Sequence, residues 1–583
     1  MTKWGHQNER STQLYLVSII YLHMFPPDPT KKEGFYDFEV YRECLEKYSS
    51  IANLLREKAK ENGDKTWLIF EKGTRYSYKI MNDITDRMAS SLLGLGVSRG
   101  DRIAIFGLNS PEWIIAYFSI LKVGGIPVTV NTAFIKDSLV YNLVQPEVKY
   151  VFVDSRLLPQ YVDIIDQLKL IENTIVFGNM EQKYEEKMTG KYLEFDKLIA
   201  VAKEKIPEIS TGWNDSCAMI LTSGTTGRSK VVVETNSEFL LTALDMIDAG
   251  GVNAESVVYV YLPLFHIMAL DLATISSMLA NSTMVLVEKF NPREFWNDVN
   301  NYGVTHFHAV GPILEALLKQ PSSDIEKKHG QLVAIAYSSK EIWSAAADRF
   351  GIRITGGYGG TEAGIPVTSP FSSVISGRNP PGSCGKAAPP FEVTIVDKRD
   401  LPVKMGETGE ILIRPRLPFA TFKEYYGMKE ETLEAFRDLW FHTGDLGRYD
   451  ENGNIYFVDR AKDAIRRKGE NISSFEVEQA LLKYERIKDV AVVPLKFESG
   501  DEEVLAIVVP MDDKLSPEEI IDYCINNMPN FWIPNYVKMI PNLPKTPTGR
   551  TEKFKLKGIK ESEAIKMTGY ISKKMKASRN NPS

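Results

Sequence analysis

A chain of 583 residues is too long for one ordinary domain, so two to four folding units are expected. Its 43% hydrophobic and 25% charged residues are typical of a globular protein and exclude a largely disordered chain. The net charge of −6 argues against a general nucleic-acid binder, which would carry a basic excess.

The four cysteines lie far apart and include no Cys-x-x-Cys pair. This spacing predicts neither a zinc site nor a disulfide framework, and it favours a reducing compartment such as the cytoplasm. The apolar stretch 14–25 is too short to span a membrane, and no small-residue cleavage site follows it. We therefore expect an N-terminal extension, with a signal peptide as the alternative, and no transmembrane segment.

From Thr66 onward the pattern alternates between strand and helix. The apolar run 67–70 predicts a strand, and Ser77 is a suitable N-cap for the helix that follows. Four apolar residues recur every four positions and predict the buried face of that helix: Ile80, Ile84, Met88 and Leu92. The alternation continues past residue 360 and predicts a largely parallel α/β sheet.

Around 390–460 short alternating strands with glycine turns replace this pattern and predict an antiparallel subdomain. We therefore expect an α/β protein, with a large N-terminal domain of stacked α/β sheets plus this subdomain, and a small α+β C-terminal domain. The predicted boundaries are an extension at 1–44, the large domain at 45–459, the small domain at 460–560 and a basic tail at 561–583. From Lys573 the tail is expected to be disordered.

One stretch combines glycine, hydroxyl groups and a lysine, as phosphate-binding loops do. An apolar run leads into it, and its polar members are Thr222, Ser223, Gly224, Thr225, Thr226, Gly227 and Lys230. It is not a Walker A loop, because two residues instead of four separate its glycines and a β-branched run follows. Taken alone, a flexible surface turn explains the stretch slightly better.

Three further stretches carry groups suited to a nucleotide. Tyr358-Gly359-Gly360-Thr361-Glu362 follows a predicted strand, at the end where open α/β sheets bind ligands. Glu362 suits Mg²⁺ and Thr361 suits a phosphate oxygen, with a solvated turn as the alternative. Asp445 could accept hydrogen bonds from both ribose hydroxyls, or it could merely cap a turn. The cationic run 460–468 is most simply a solvated face, and His306 and His308 share a strand face without a third metal ligand.

The order of these stretches resembles the signature series of the acyl-adenylate-forming superfamily, which includes the AMP-forming acyl-CoA ligases. Residues 222–230 resemble the family's phosphate loop, and residues 358–362 resemble its Tyr-Gly-x-Thr-Glu motif. Residues 443–446 resemble the family's Thr-Gly-Asp-Leu motif. Residues 460–463 resemble its domain-junction motif, in which Asp459 replaces a glycine. The resemblance covers about residues 45–560. Residues 464–474 look most like the carnitine/crotonobetaine-CoA ligase branch, and Pro263-Leu264-Phe265-His266 looks like the acyl-CoA ligases.

The resemblance implies a two-step reaction. A carboxylate attacks the α-phosphate of Mg²⁺-bound ATP to give acyl-AMP, and the thiol of coenzyme A then displaces AMP. It also implies a role for each matching residue. The phosphate loop holds the β- and γ-phosphates, Thr361 contacts the α-phosphate, and Glu362 binds Mg²⁺. Asp445 and Arg460 hold the ribose, His266 lines the acyl pocket, Lys462 is a hinge, and Gly469 shapes the pantetheine tunnel. Tyr358 and Gly359 belong to the nucleotide site.

The chain departs from the family pattern at several positions. Arg550 stands where the family has its catalytic lysine; either Arg550 serves, or Lys553 reaches in, or adenylation is slowed. The adenine-side turn reads Tyr337-Ser338-Ser339-Lys340 in place of Gly-Gly-Ala-Pro. Three single replacements are Val231 for glycine, Asn236 for histidine and Ser474 for proline.

We therefore expect an ATP-dependent, AMP-forming carboxylate–CoA ligase with ATP, Mg²⁺ and coenzyme A as cofactors and a small carboxylic acid as substrate. One alternative transfers the acyl group to a carrier-protein thiol, and another is an adenylation-deficient binding protein. Fatty acid metabolism is the expected context, and a homodimer is one option for the oligomeric state. The acyl pocket is expected at 263–270, 308–313 and 337–340. A carnitine-like substrate would need an anion or an aromatic cage, and the sequence identifies neither.

Overall fold

The structure, a computed structural model, describes residues 34–188, 192–202, 209–222, 230–330, 332–467, 470–497, 502–546 and 549–580. The chain forms two compact units. The first contains the described parts of Met1–Val393 together with Ile413–Phe441, and the second contains Thr394–Leu412 and the described parts of His442–Ser583. The predicted boundary at 459/460 stays a prediction.

Two large sheets form the centre of the first unit. The eight-stranded sheet has, in spatial order, the strands Glu424–Tyr425, Lys230–Thr235, Ser216–Thr222, Ile126–Thr129, Arg102–Phe106, Tyr150–Asp154, Asn173–Phe177 and Tyr192–Glu194. The seven-stranded sheet has the order Arg353–Thr355, Val333–Tyr337, His306–Val310, Val257–Val260, Thr283–Leu286, Thr66–Phe70 and Thr74–Ser77. Most neighbours are parallel, as predicted, and their apolar runs are buried on both faces.

A small antiparallel sheet carries the turn at 358–362. Its strands are Gly357–Gly360, Gly364–Thr368 and Lys386–Ala387. The helices of the first unit are Phe38–Tyr48, Ile51–Asn62, Tyr78–Gly94, Pro111–Lys122, Lys136–Val144, Leu158–Val162, Gln182–Lys187, Phe195–Val201, Asn236–Gly250, Ser276–Leu279, Phe295–Tyr302, Gly311–Leu318, Lys340–Phe350, Phe371–Ile375 and Lys429–Ala435. Met268–Ile275 is a π-helix.

The helix after Ser77 shows what local patterns predict and where they fail. Ser77 Oγ accepts a hydrogen bond from the Ile80 backbone N–H, so the predicted cap is confirmed. The predicted face is wrong in detail, because Ile80 is 47% exposed. The buried residues are Tyr78, Met81, Thr85, Met88, Ala89 and Leu92. A period of four drifts around a helix of 3.6 residues per turn, so only the later half of the predicted face points inward.

The second unit contains two four-stranded sheets and one hairpin. One sheet, of which most residues belong to this unit, has the order Phe391–Val396, Gly409–Pro415, Phe441–Tyr449 and Ile455–Arg460. The other has the order Ile487–Lys496, Glu502–Pro510, Tyr536–Met539 and Ile565–Lys566, and the hairpin pairs Ile465–Arg467 with Glu470–Ile472. The helices are Ser474–Leu482, Pro517–Asn527 and Thr568–Asn580.

The predicted disordered tail is wrong for the end of this unit. Residues Thr568–Asn580 form a helix, and Met567 and Ile571 at its start are buried in the apolar core of the unit. That core lies on one face of the strand pair 487–496 and 502–510, whose alternate residues pack on the other face into a second cluster. The lysine-rich composition of this segment predicts disorder, whereas the buried side chains of Met567 and Ile571 attach the helix to the core.

The mixed α/β class is confirmed, with stacked sheets in the large unit and an α+β arrangement in the small one. No helix among the described residues combines the length and the apolar character that crossing a bilayer requires.

Candidate active site

The predicted phosphate loop connects two paired strands. Thr222 ends one strand, Lys230 begins the next, and the two residues are antiparallel partners. A strand therefore follows the loop, as the β-branched run predicts. Five loop residues lie outside the described part of the chain: Ser223, Gly224, Thr225, Thr226 and Gly227.

Tyr425 links Lys230 to Glu362 within the first unit. The Lys230 Nζ lies 4.1 Å from the centroid of the Tyr425 ring. The Tyr425 hydroxyl donates a hydrogen bond to Glu362 Oε1 at 3.1 Å. Burial, and then the Glu362 charge, raises the pKa of Tyr425, so the phenol stays protonated and keeps donating. The structure thus brings together two predicted site residues through a third that sequence reasoning missed, because a lone tyrosine on a two-residue strand carries no motif.

The turn that carries Thr361 and Glu362 depends on glycine. A Cβ atom at Gly359 would lie 1.9 Å from the Gly364 carbonyl oxygen, which only glycine avoids. Tyr358 is buried beneath the turn, whereas Thr361 and Glu362 are partly exposed at its end. The geometry therefore presents a hydroxyl and a carboxylate on a closely packed hairpin turn.

His266 lies just before the π-helix Met268–Ile275. Its ring packs against Phe265, with centroids 4.6 Å apart. Its Nε2 atom is buried and has no hydrogen-bond partner among the residues that the structure describes. Burial lowers the pKa of His266 to about 4, so the imidazole is neutral near pH 7.

In the second unit, Asp445 and Arg460 face each other across two antiparallel strands. They are register partners, and Arg460 Nε lies 3.5 Å from Asp445 Oδ1. Gly444 has a φ of +67°, and its backbone N–H donates to Glu410 Oε1 at 3.0 Å. The two predicted ribose ligands therefore lie side by side on paired strands.

Lys462, the predicted hinge residue, lies in a cationic surrounding. Partial burial and then the Arg460 charge lower the pKa of Lys462 to about 8, and the charge of Arg550 acts in the same direction. Lys557 donates to the Lys462 carbonyl oxygen at 2.8 Å and pairs with Asp463 at 2.6 Å. Gly469 lies outside the described residues.

Lys553 lies in the interior of the second unit. Its Nζ is 2.8 Å from Glu478 Oε1 and donates to Ser474 Oγ at 2.6 Å. Burial alone would lower the pKa of Lys553, but the Glu478 and Asp459 carboxylates raise it overall. A largely buried, paired ammonium inside one unit favours a structural role over the predicted catalytic one. Arg550 is exposed in a turn, and its backbone N–H donates to Thr546 Oγ1.

Most departures from the family pattern have structural reasons. Asp459 Oδ2 accepts hydrogen bonds from the Ser474 backbone N–H at 2.6 Å and from its hydroxyl at 2.7 Å, so these two replacements act together. Ser339 caps the helix Lys340–Phe350. The Asn236 side-chain oxygen accepts a hydrogen bond from the Ile51 N–H, and its amide nitrogen donates to the carbonyl oxygens of Gly212 and Asp215. Val231 is a buried strand residue.

The two histidines at 306 and 308 are buried residues of the strand His306–Val310. His306 bonds to the Thr305 hydroxyl and to the Gly250 carbonyl oxygen. His308 is buried, and burial lowers its pKa to about 3.

Comparison with known proteins matches two family models. Residues 55–426 match the AMP-binding enzyme family and residues 476–550 match the AMP-binding enzyme C-terminal domain. A crotonobetaine/carnitine–CoA ligase of Salmonella paratyphi B is 31% identical over 510 residues, covering 85% of this chain and 96% of that protein. The corresponding ligase of Salmonella typhimurium is 30% identical over the same length and coverage.

Solved structures share the fold. An anthranilate CoA ligase, AuaEII, in complex with anthranoyl-AMP has a TM-score of 0.78 at 23% identity, over 88% of this chain and 97% of that one. ATP-bound MatB from Rhodopseudomonas palustris has a TM-score of 0.76 at 24% identity, over 87% and 98%. The benzoate CoA ligase of Burkholderia xenovorans LB400 has a TM-score of 0.76 at 22% identity, over 87% and 99%. The resemblance that the motifs indicate is confirmed, and the chain belongs to the AMP-binding enzyme family.

Proposed function

We propose that this AMP-binding enzyme is an ATP-dependent, AMP-forming carboxylate–CoA ligase. The observation that carries the proposal is the contiguous set Lys230, Tyr425 and Glu362, in which Lys230 begins the strand after the phosphate loop. It places a cation, a protonated phenol and a carboxylate together where the chain leaves the predicted phosphate loop at Lys230. The curated relatives at 30–31% identity, which are named as CoA ligases, support the same reaction.

In the first step, a substrate carboxylate oxygen bonds to the α-phosphorus of ATP and pyrophosphate leaves with the electron pair of the broken P–O bond. Lys230 and the loop that it follows neutralise the departing phosphates. Thr361 positions the α-phosphate. The catalysis is mostly orientation and charge stabilisation, which are the main contributions in phosphoryl chemistry.

Glu362 fits Mg²⁺, because a partly exposed carboxylate that is oriented by the Tyr425 hydroxyl is a hard oxygen ligand. The bound ion would neutralise phosphate charge. Asp445 and Arg460 hold the ribose hydroxyls, and Arg550 supplies the positive charge for carboxylate activation. His266, neutral and apolar-packed, borders the reacting carboxylate without adding charge.

In the second step, the coenzyme A thiol attacks the acyl carbon of acyl-AMP and AMP leaves. We assign Lys462 as the hinge between half-reactions and Gly469 as part of the pantetheine path. The four cysteines all lie in the described part of the chain, are buried and form no disulfide, which supports a reducing compartment such as the cytoplasm.

Two assays test the reaction. Carboxylate-dependent ATP–pyrophosphate exchange reports the first step, and thioester formation with coenzyme A reports the second. We expect both with the same acid. Absence of exchange across a broad panel of acids, despite ATP binding, would identify an adenylation-deficient protein. Exchange with transfer only to a carrier-protein thiol would remove coenzyme A from the assignment.

Arg550 can be tested by separating the steps. Arg550→Ala should slow acyl-AMP formation about 100-fold, the usual order for losing one charge-stabilising group. Thioester formation from supplied acyl-AMP should change less than about threefold, because that step does not need the same charge. Arg550→Lys should restore part of the first step. Equal losses in both steps would contradict the assigned role.

A further inference from the structure

A cavity lies at the edge of the eight-stranded sheet opposite to the phosphate loop. It is formed where the strands Arg102–Phe106, Ile126–Thr129 and Ser216–Thr222 begin, whereas the predicted loop follows the end of the last strand at Thr222. Seven strand residues separate these two edges, which corresponds to roughly 20 Å. Open α/β sheets bind their ligands at the carboxyl ends of their strands. A cavity at the amino ends is therefore separate from the ATP site.

The charged residues that line the cavity have a positive excess. Arg99 donates two hydrogen bonds to the Asp215 carboxylate, at 2.9 and 2.8 Å, and one to the Ser210 carbonyl oxygen. The charges of Arg99 and Asp215 thus offset each other. Lys423 is exposed at the cavity, and within the described part of the chain no carboxylate pairs with its ammonium group. This ammonium group favours an anion as the occupant.

The start of a helix forms another wall of the cavity. Ala52, in the first turn of the helix Ile51–Asn62, lines the cavity. The Ile51 N–H donates to Asn236 Oδ1, whereas the Ala52 N–H has no acceptor among the residues that the structure describes. The positive end of the helix dipole therefore adds to the charge of Lys423.

One departure from the family pattern also lines the cavity. Asn236 stands where the family has a histidine, and it is 3% exposed. Its Oδ1 accepts from Ile51, and its amide nitrogen donates to the Asp215 carbonyl oxygen at 3.1 Å, so both ends of the amide are held in place. Because an asparagine side chain is smaller than a histidine ring, this replacement leaves more room at the cavity wall.

The size and the remaining walls of the cavity define the class of ligand. The volume is about 180 Å³, which corresponds to roughly six water molecules. This space admits a phosphate with a chain of about three carbons and is too small for a nucleotide. A phosphate dianion suits an ammonium group and the N–H groups of a helix start. Leu121 and Ile126 supply apolar surface for the carbon chain.

A short strand connects the cavity to the ATP site. Lys423 directly precedes the strand Glu424–Tyr425. The Tyr425 hydroxyl donates to Glu362, and the Tyr425 ring contacts Lys230. Because Lys423 and Tyr425 are two residues apart in an extended segment, they point to the same face of it. An anion that holds Lys423 therefore also restrains Tyr425.

We propose that this cavity binds a small phosphate ester as a regulator, separately from ATP, and that its occupancy tightens the binding of ATP. The phosphate pairs with Lys423 and accepts a hydrogen bond from the first turn of the helix Ile51–Asn62. The carbon chain lies against Leu121 and Ile126. The restrained Tyr425 keeps its hydroxyl on Glu362.

Calorimetry on the full-length protein tests the binding. Monopropyl phosphate, inorganic phosphate and 1-propanol are each titrated into protein that is saturated with ATP and Mg²⁺ and holds no acid substrate. We expect the ester to bind about 10-fold more tightly than inorganic phosphate, because its chain buries apolar surface, and the alcohol not to bind. Equal affinities of the two phosphates would overturn the ester as the ligand. Absence of binding by both would overturn the site.

Two variants locate the site. Lys423→Met should weaken the binding of propyl phosphate about 10-fold, because it removes a hydrogen bond between charged groups. Asn236→His should also weaken it, because the larger ring narrows the cavity. Lys429→Met is the matched control, since Lys429 is exposed on the helix Lys429–Ala435 and lies outside the cavity lining; it should keep the full affinity. Thermal unfolding confirms that each variant is folded. Binding that Lys423→Met leaves unchanged would overturn the site.

The affinity for ATP gives a second measurement. Saturating propyl phosphate should lower the Kd of ATP about fivefold in the wild type and leave it unchanged in Lys423→Met. By linkage, ATP should tighten the binding of propyl phosphate by the same factor. A higher Kd of ATP would show competition at the ATP site and overturn the proposal. An unchanged Kd in the wild type would overturn the regulatory role.

Discussion

The contacts of Lys553 favour a structural role over the catalytic role that its position in the sequence suggested. Its place three residues after Arg550 made it a natural substitute for the family's catalytic lysine. The structure gives its ammonium group two partners, Glu478 and Ser474, in the interior of the second unit. Moving Lys553 toward a substrate would leave Glu478, which is 12% exposed, without its counter-charge. Arg550 is exposed in a turn, so we propose Arg550 rather than Lys553 for the adenylation role.

Removing Lys553 should therefore affect stability more than chemistry. Lys553→Met should lower the free energy of unfolding by about 3–5 kcal/mol, because a largely buried carboxylate loses its partner. Urea denaturation followed by fluorescence measures the change. Lys555→Met is the matched control, since Lys555 is 52% exposed and pairs with Glu552 at the surface; it should change stability by less than about 0.5 kcal/mol. A folded Lys553→Met protein that has lost only acyl-AMP formation would restore the catalytic interpretation.

At the scale of single elements, the helix Ser474–Leu482 begins with an unusual double cap. Ser473 Oγ accepts the Glu476 N–H at 3.1 Å, and Asp459 accepts the N–H groups of Ser474 and Phe475. A carboxylate at this end also complements the helix dipole. Two departures from the family pattern, Asp459 and Ser474, thus form one structural feature that ties the junction strand to the first helix of the C-terminal region.

Restoring the family residues one at a time tests this coupling. Asp459→Gly should lower the free energy of unfolding by about 2 kcal/mol, because the N-terminal N–H groups of the helix lose their acceptor. Adding Ser474→Pro should recover part of the loss, since proline at the first helical position has no N–H to satisfy. Equilibrium urea unfolding of the single and double variants measures both effects. If the two changes prove additive, Asp459 and Ser474 do not act together.

At the scale of the whole molecule, buried ionisable groups make stability depend on pH. Burial, with neighbouring acids, raises the pKa values of Glu234, Glu238 and Asp271 above their ordinary 4.5 and 3.8. An acid with a raised folded pKa takes up a proton on folding. Its contribution is complete below the unfolded pKa and is lost as the pH rises toward the folded value. Burial lowers the pKa of His266 and His308, which act oppositely and destabilise the fold as the pH falls below 6.5.

These acids should therefore lower the free energy of unfolding as the pH rises from 6.5 to 9, where both histidines are already neutral. Lys122 and Lys462, whose pKa values burial lowers to about 8, act in the opposite direction above pH 8. Proton binding that is ten times tighter in the folded state corresponds to about 1.4 kcal/mol. Glu238→Gln should raise stability at pH 9 and flatten this fall, because an amide does not ionise. Urea unfolding at three pH values measures the slope. Asp248→Asn on the same helix is the control, because burial raises the pKa of Asp248 only to about 6 and this residue is largely ionised over the range. An unchanged slope in Glu238→Gln would show that Glu238 does not ionise over this range.

The sequence by itself determined the α/β class, most strands and helix starts, and the order of the nucleotide motifs. These depend on patterns over a few residues: apolar alternation, caps such as Ser77, and glycines such as Gly359. Only the tertiary structure decided that Tyr425 joins Lys230 to Glu362, that Lys553 is bound to Glu478, and that Glu234, Glu238 and Asp271 are completely buried. Partners and burial depend on packing between segments far apart in the chain, and no local pattern encodes which distant side chain a charge will meet.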